Sequence, residues 1–258
     1  MTVRTDASGS EARAPDYRDS HRDAEQARSY EEEFSNAATP SGVLWELEQI
    51  LLEGFFESHR EEHGDVESAL DFACGTGRIL GLLEPRVDRL VGVDISPEML
   101  ARAARRCPRA ELVRGDVTRQ PDLVGDSFQL VTAFRFFLRA QPELRGEVLR
   151  WIRGRVRDDG YFIANFHLNP WSLRGLHCRL LERATGRHFP SLKLREVERM
   201  LTESGFEIEH VHGYMHLLYR GMPRGSARIR RAIDAKLARA GLLSRWGSSF
   251  LVVARPKG

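Results

Sequence analysis

The sequence predicts an α/β fold built on a mostly parallel sheet. Seven short apolar runs recur, near residues 68–72, 89–93, 110–113, 128–134, 160–166, 206–213 and 248–254. Amphipathic stretches with helical spacing separate most of them, near 78–84, 97–106, 142–156 and 194–204. Acidic residues end the first two runs, at Asp71 and Asp94, with the glycine turn Gly75-Thr76-Gly77 between them. Strands joined by helices imply right-handed crossovers, and hence helices on both faces of the sheet.

Taken in order, residues 1–15 are small, polar and unpatterned, which predicts disorder. Residues 16–34 are dense in charge and predict a helix carrying Tyr17 and Tyr30. A second helix is predicted over 42–59, where Val43, Leu44, Leu47, Ile50, Leu51 and Phe55 recur at helical spacing. These two form an N-terminal helical cap over 16–65, ahead of a core spanning 66–258. Within the core, Ser96 caps a helix whose first position is Pro97, and Gly205 ends the helix carrying Val197, Met200 and Leu201. Two inserts, at 167–192 and 217–247, exceed what the sheet needs. The first carries Trp171, Leu173, Leu176, Leu180 and Phe189, expected to wall a cavity. The second contains a predicted helix over 226–240, with Ile229, Ile233 and Leu237 as a packed stripe beneath a basic face.

Composition excludes several classes. Hydrophobic residues make up 41% and charged residues 29%, as in ordinary globular chains. A net charge of +2 argues against a dedicated nucleic-acid binder. The three cysteines are too few and scattered for a disulfide framework or a zinc site, so no metal is expected. No apolar stretch reaches membrane-spanning length and no signal core opens the chain, which predicts a cytoplasmic location.

The turn after the first strand carries most of the functional information. Gly75 and Gly77 leave backbone bare at the carboxyl edge of the sheet, where open α/β folds bind ligands. Asp94 follows Asp71 by 23 residues, the spacing at which a neighbouring strand tip offers an acceptor to a ribose. A dinucleotide fingerprint needs a small residue where Leu80 stands, and no Gly-Lys-Ser/Thr follows to make a phosphate loop. A nucleoside without a pyrophosphate fits best.

At this point the chain resembles the class I S-adenosylmethionine-dependent methyltransferases, in their small-molecule form. The likeness rests on five segments in family order: residues 70–77, 91–100, 114–117, 128–133 and 160–164. Ala73 departs from the pattern, standing where the family more often has a glycine. The resemblance implies a Rossmann-like three-layer sandwich whose last strand runs antiparallel. It implies S-adenosylmethionine as cofactor, bound by Asp71, Ala73, Cys74, Gly75 and Gly77, with the two glycines bordering the methionyl portion. It also places Asp94 at the ribose and Asp116 and Val117 at the adenine, counts Ile95 and Met99 among the cofactor-binding residues, and brings one of Tyr17 and Tyr30 of the cap, taken as Tyr30, to the methionyl group. Cys74 is read as a small wall residue, since no histidine lies near it in sequence.

Methyl transfer from a sulfonium is an in-line displacement in which alignment and exclusion of water do most of the work. An obvious catalytic side chain is therefore not required. Two residues are candidates for contact with the acceptor. Arg135, after the fourth strand, either binds a carboxylate or forms a structural ion pair. His167, after the fifth, is either a base or an ordinary loop histidine. Phe134-Arg135-Phe136-Phe137 stands where base-methylating relatives carry Asn/Asp-Pro-Pro-Tyr/Phe, which argues against a nucleobase acceptor. The reading is a methyltransferase of a small organic acceptor, with a homo-oligomer allowed. An RNA or protein methyltransferase docking through the basic insert, and a non-catalytic nucleoside binder of the same fold, are the alternatives.

Overall fold

Seven strands form one sheet in the order β3-β2-β1-β4-β5-β7-β6, and this arrangement sets where a ligand sits. The strands are β1 (Ser68–Phe72), β2 (Arg89–Asp94), β3 (Glu111–Arg114), β4 (Phe128–Ala133), β5 (Val156–His167), β6 (Phe206–Tyr214) and β7 (Ser249–Pro256). Strands β1 to β5 pair in parallel, while β7 runs antiparallel to both β5 and β6. Strand order therefore reverses between β1 and β4, and that switch point opens a crevice at the carboxyl edge. This computed structural model describes residue 34 and residues 39–219, 227–241 and 243–258. The expected disorder of 1–15 and helix over 16–34, with Tyr17 and Tyr30, lie outside the described residues, Phe34 excepted.

Helix α1 (Pro40–His63) begins earlier and ends later than its apolar spacing predicts. Thr39 accepts the Gly42 N–H at 3.0 Å and Pro40 occupies the first turn, so the cap extends the helix forward. At its far end Gly64 turns the chain at φ 87°. The other helices are α2 (Arg78–Leu83), α3 (Pro97–Arg106), α4 (Pro142–Arg153), α5 (Leu173–Thr185), α6 (Leu194–Glu203) and α7 (Ala227–Arg239). Ser96 caps α3 by accepting the Met99 N–H at 3.3 Å.

The core divides into two layers because strand side chains alternate between faces. In β7, Leu251 and Val253 join α1, α2 and α3 on one face, while Phe250, Val252 and Ala254 join α4 and α6 on the other. Strand β5 divides in the same way: Tyr161 and Ile163 point to the first layer, Phe162, Ala164 and Phe166 to the second. The result is the three-layer sandwich expected. Helix α5 has no counterpart in the sequence expectations. Only Gly175 of its residues is buried, so no core-facing periodicity announces it.

Leu80, which excluded a dinucleotide turn, is fully buried in α2. The strand opposite gives way: a Cβ added at Gly92 would lie 2.7 Å from Leu80 Cδ1. Bulk that a dinucleotide fold forbids on the helix is thus accommodated by a glycine on β2.

Candidate active site

A cavity of about 1230 Å³ opens along the carboxyl tips of the sheet. Single ligands fill pockets of roughly 300–1,000 Å³, so there is room for two molecules side by side. Of the residues expected at the cofactor, Asp71, Ala73, Cys74, Gly75, Asp94, Ile95, Met99, Asp116 and Val117 all line it. Arg135 and His167 line it too. Gly77 does not. A Cβ there would meet Ala103 Cα of α3 at 3.0 Å, so Gly77 serves helix packing and the turn, at φ 76°. Gly75, at φ 55°, has nothing within 4 Å of an added Cβ and leaves bare backbone beside the cavity. Tyr30 lies outside the described residues.

Short-range hydrogen bonds, with one long-range contact at Asp71, build the half of the cavity at β1–β3. Asp94 accepts the Gly75 N–H through Oδ2 and the Ser96 N–H through Oδ1, each at 2.8 Å. Each carboxylate oxygen has more than one lone pair, so the pair of oxygens can still accept from two ligand hydroxyls. Burial raises the Asp94 pKa, and N–H donors from Ser96, Gly75 and Ile95 oppose that rise. Asp71 is buried, accepts the Thr132 hydroxyl at 2.7 Å, and is pushed up to about 7, first by burial. A cation arriving beside it would restore its ionised form. Asp116 takes both the N–H and the hydroxyl of Thr118, at 3.0 and 2.7 Å, and so also holds its own turn. Burial keeps the Cys74 thiol protonated, with the charges of Asp94 and Asp71 acting in the same direction.

Long-range contacts build the half at β4–β6. Glu48, fully buried on α1, accepts Asn165 Nδ2 at 2.6 Å and the Tyr214 hydroxyl at 2.8 Å. Asn165 Oδ1 in turn accepts the Arg135 N–H at 2.7 Å. Arg135 Nε lies 3.8 Å from Glu48 Oε1, an ion pair beyond hydrogen-bond reach. Its Nε and Nη2 are buried without a hydrogen-bond partner among the described residues. Phe34 packs between two guanidiniums, with Arg78 at 3.9 Å and Arg135 at 4.4 Å from its ring centre. His167 Nδ1 lies 3.0 Å from Ser249 Oγ, and its buried Nε2 has no partner among the described residues. Its pKa falls well below the ordinary value, first through burial and then through Arg135, Arg174 and Arg78.

Backbone strain concentrates here. Ala73, Arg135, Leu168 and Met215 adopt φ of 54°, 67°, 59° and 59°, follow the ends of β1, β4, β5 and β6, and line the cavity. Such conformations cost about 1–3 kcal/mol each for a residue with a side chain, and cluster where function requires them. Ala73 thus adopts a left-handed conformation that a glycine would reach without that cost.

The inserts correct two expectations. Trp171 is 60% exposed and stands outside the main cavity, whereas Phe189 of the same insert lines it. In α7, Ile229 and Ile233 are exposed, so no packed stripe exists there. The buried face carries Ala238 and Asp234 instead: Ala238 joins the core, and Asp234 accepts the His216 N–H at 2.8 Å and the Tyr219 hydroxyl at 2.5 Å. Arg231 also pairs with Glu46 of α1. Sequence reasoning missed Glu48, Asn165, Tyr214 and Asp234 as structural polar residues. One signal for Glu48 was present: an acid standing among Leu44, Leu47 and Leu51 on the apolar face of its helix.

Comparison with known proteins agrees with the geometry. Residues 69–160 match the family described as a methyltransferase domain. A dTDP-3-amino-3,6-dideoxy-alpha-D-glucopyranose N,N-dimethyltransferase from Streptomyces fradiae is 30% identical over 145 residues, which are 51% of this chain and 54% of that protein. The match thus spans about half of that relative's length. A TehB-like SAM-dependent methyltransferase from Corynebacterium glutamicum shares the fold with a TM-score of 0.58 at 16% identity, covering 91% of this chain and 100% of that one. The magnesium protoporphyrin IX methyltransferase of Synechocystis PCC 6803, solved with SAH, gives 0.57 at 13% identity, covering 83% and 84%. Residues 69–160 are thus similar to a methyltransferase domain, and the described chain shares the fold of solved S-adenosylmethionine-dependent methyltransferases. No described helix is long and apolar enough to cross a membrane.

Proposed function

We propose that this protein transfers the methyl group of S-adenosylmethionine to a small organic acceptor. The observation that carries the reading is the Asp94 carboxylate, held by Gly75 and Ser96 at the tip of β2 and facing a cavity large enough for two ligands. The residues fit the cofactor by chemistry: three acids and bare backbone suit a cationic, phosphate-free nucleoside. Asp94 accepts from the ribose hydroxyls, Asp116 and Val117 receive the adenine, and Asp71 meets the ammonium end. When bound, S-adenosylmethionine supplies an electrophilic methyl group whose bond to sulfur breaks as the acceptor's lone pair forms the new bond.

The chain's own part is alignment. Phe134, Phe136 and Phe189 line the acceptor end and exclude water. His167 is kept neutral by its surroundings, so it orients the acceptor by hydrogen bonding and does not store a proton at neutral pH. The amino-sugar N,N-dimethyltransferase among its relatives supports a small acceptor in place of a macromolecule. Titration calorimetry with S-adenosylmethionine and its demethylated product tests the cofactor assignment. Turnover across a panel of small amines, phenols and carboxylic acids then tests transfer. A folded protein that binds neither form of the cofactor would end this reading.

A further inference from the structure

We infer that the acceptor is an anion, carrying a carboxylate or phosphate group that an arginine-lined chamber receives. This inference rests on the methyltransferase reading and adds the chemical class of the second ligand. The cavity lining is divided by charge. Its only carboxylates among the described residues are Asp71, Asp94 and Asp116, all at the tips of β1, β2 and β3. The rest of the wall contains Arg78, Arg135, Arg139, Arg174 and Arg187, with no acidic residue. His167, His177 and His188 lie on the same side.

The acidic end suits the positive methionyl portion of the cofactor, so the cationic end is left to the other ligand. The cofactor's single carboxylate does not account for Arg135, Arg139 and Arg187 as well as Arg78. Arg78, which directly follows the glycine turn, is placed to meet that carboxylate. Two acids behind the wall offset part of the charge: Glu48 faces Arg135 at 3.8 Å, and Glu182 meets His188 at 2.6 Å. Arg139 and Arg187 remain on the cationic side of the wall. Arg135 adds a second observation, because its buried Nε and Nη2 have no hydrogen-bond partner among the described residues. Two adjacent donors on a planar guanidinium match the two oxygens of a carboxylate or phosphate. Leaving such donors unmet in a buried site is costly, and a bound anion removes that cost. The low pKa of His167 has the same origin in part, since Arg135, Arg174 and Arg78 all disfavour another positive charge there.

A charged wall also sets acceptor choice. An acceptor with a free ammonium and no anionic group would be repelled, whereas an anionic one is drawn towards the chamber.

The test uses the full-length protein saturated with S-adenosylhomocysteine. Inorganic pyrophosphate and succinate are titrated separately by calorimetry, one as the phosphate probe and one as the carboxylate probe. At least one should bind without displacing the nucleoside, and the stronger of the two identifies the source of the charge. Arg174 and Arg187 are exposed, so Arg174→Gln with Arg187→Gln leaves the fold intact. That double variant should weaken the anion about ten-fold or more while nucleoside affinity changes by less than about two-fold. Arg135→Gln should do the same, and the exposed pair keeps the test decisive if burial of Glu48 destabilises that variant. Binding of neither anion, displacement of the nucleoside by the anion, or unchanged anion affinity in the double variant would each overturn the inference. Failure of the wild-type protein to bind S-adenosylhomocysteine at all overturns the methyltransferase reading, and this inference with it.

Discussion

The two halves of the cavity are built on opposite plans. At β1–β3 the cavity-facing acids are held mostly over short separations, Asp94 by Ser96 two residues on and Gly75 nineteen before, Asp116 by Thr118, while Asp71 alone reaches across to Thr132 of β4. At β4–β6 the groups are held across the fold, with Glu48 reaching Asn165 and Tyr214 over separations of 117 and 166 residues. One half is acidic and the other basic.

The largest expected effect separates the halves by stability. Glu48→Ala removes one acceptor serving Asn165 and Tyr214 and leaves the Arg135 charge buried without its counterion. Breaking a buried pair costs about 3–5 kcal/mol, so urea unfolding should detect a loss of that order. A variant as stable as the parent would show that the network does not hold the acceptor half together.

Asp71 gives a pH signature to the other half. Its folded pKa, raised to about 7 by burial, lies above the unfolded value, so the folded state holds the proton more tightly. Its contribution is fully present below the ordinary carboxylate range and is lost as pH rises towards 7. Cofactor-free protein should therefore lose stability over that window, and Asp71→Asn should flatten the loss. Above pH 7 the variant should be the more stable by at most about 4 kcal/mol, since each tenfold difference in proton affinity between folded and unfolded chain is worth about 1.4 kcal/mol. It should also bind S-adenosylmethionine more weakly, having no charge for the ammonium. Parallel pH–stability curves for the two proteins would refute the burial argument. His167 has the opposite sign: its depressed pKa gives stability that is present above the ordinary histidine range and lost as pH falls.

This difference in construction explains what could be read from the sequence. The sheet, its helices and the acids at β1–β3 were legible because each depends on spacing within a short segment. The turn at Gly75 and the tip at Asp94 lie in segments whose order alone fixes their meeting. Nothing local marks Asn165 as the partner of Glu48, or Arg135 as a left-handed residue at φ 67°. Helix α5 was invisible for a related reason. Its apolar residues Leu173, Leu176 and Leu180 face solvent, so they carry no pattern of burial against the sheet. The stripe on α7 misled in the reverse direction, because Asp234 and not Ile233 faces the interior.

Asp94→Ala sharpens the comparison at the cofactor half. Losing a charge-assisted hydrogen bond costs about 1.5–3 kcal/mol, so calorimetry should show roughly ten- to a hundred-fold weaker binding of S-adenosylmethionine. The change should be larger for the cofactor than for any acceptor. Unchanged cofactor affinity in a folded variant would remove the ribose assignment.

The smallest effect tests the insert at 167–192 from inside and outside. Phe189 lines the cavity and carries Arg187 over its ring at 5.6 Å from the centre, so its removal both opens the wall and frees a cation. Trp171 is mostly exposed and stands on the outer side, with Arg179 at 4.9 Å from its ring centre. Phe189→Ala should raise the acceptor KM, by about ten-fold if one apolar contact worth about 1–3 kcal/mol is lost, while leaving cofactor affinity alone. Trp171→Ala should change neither, because an exposed side chain away from the ligands contributes within about 0.5 kcal/mol. The pair is more informative than either variant. If both raise the acceptor KM, the insert moves as a unit and the inner and outer faces are not separate. If Phe189→Ala weakens the cofactor instead, the boundary between the halves lies further towards β5 than the charges suggest.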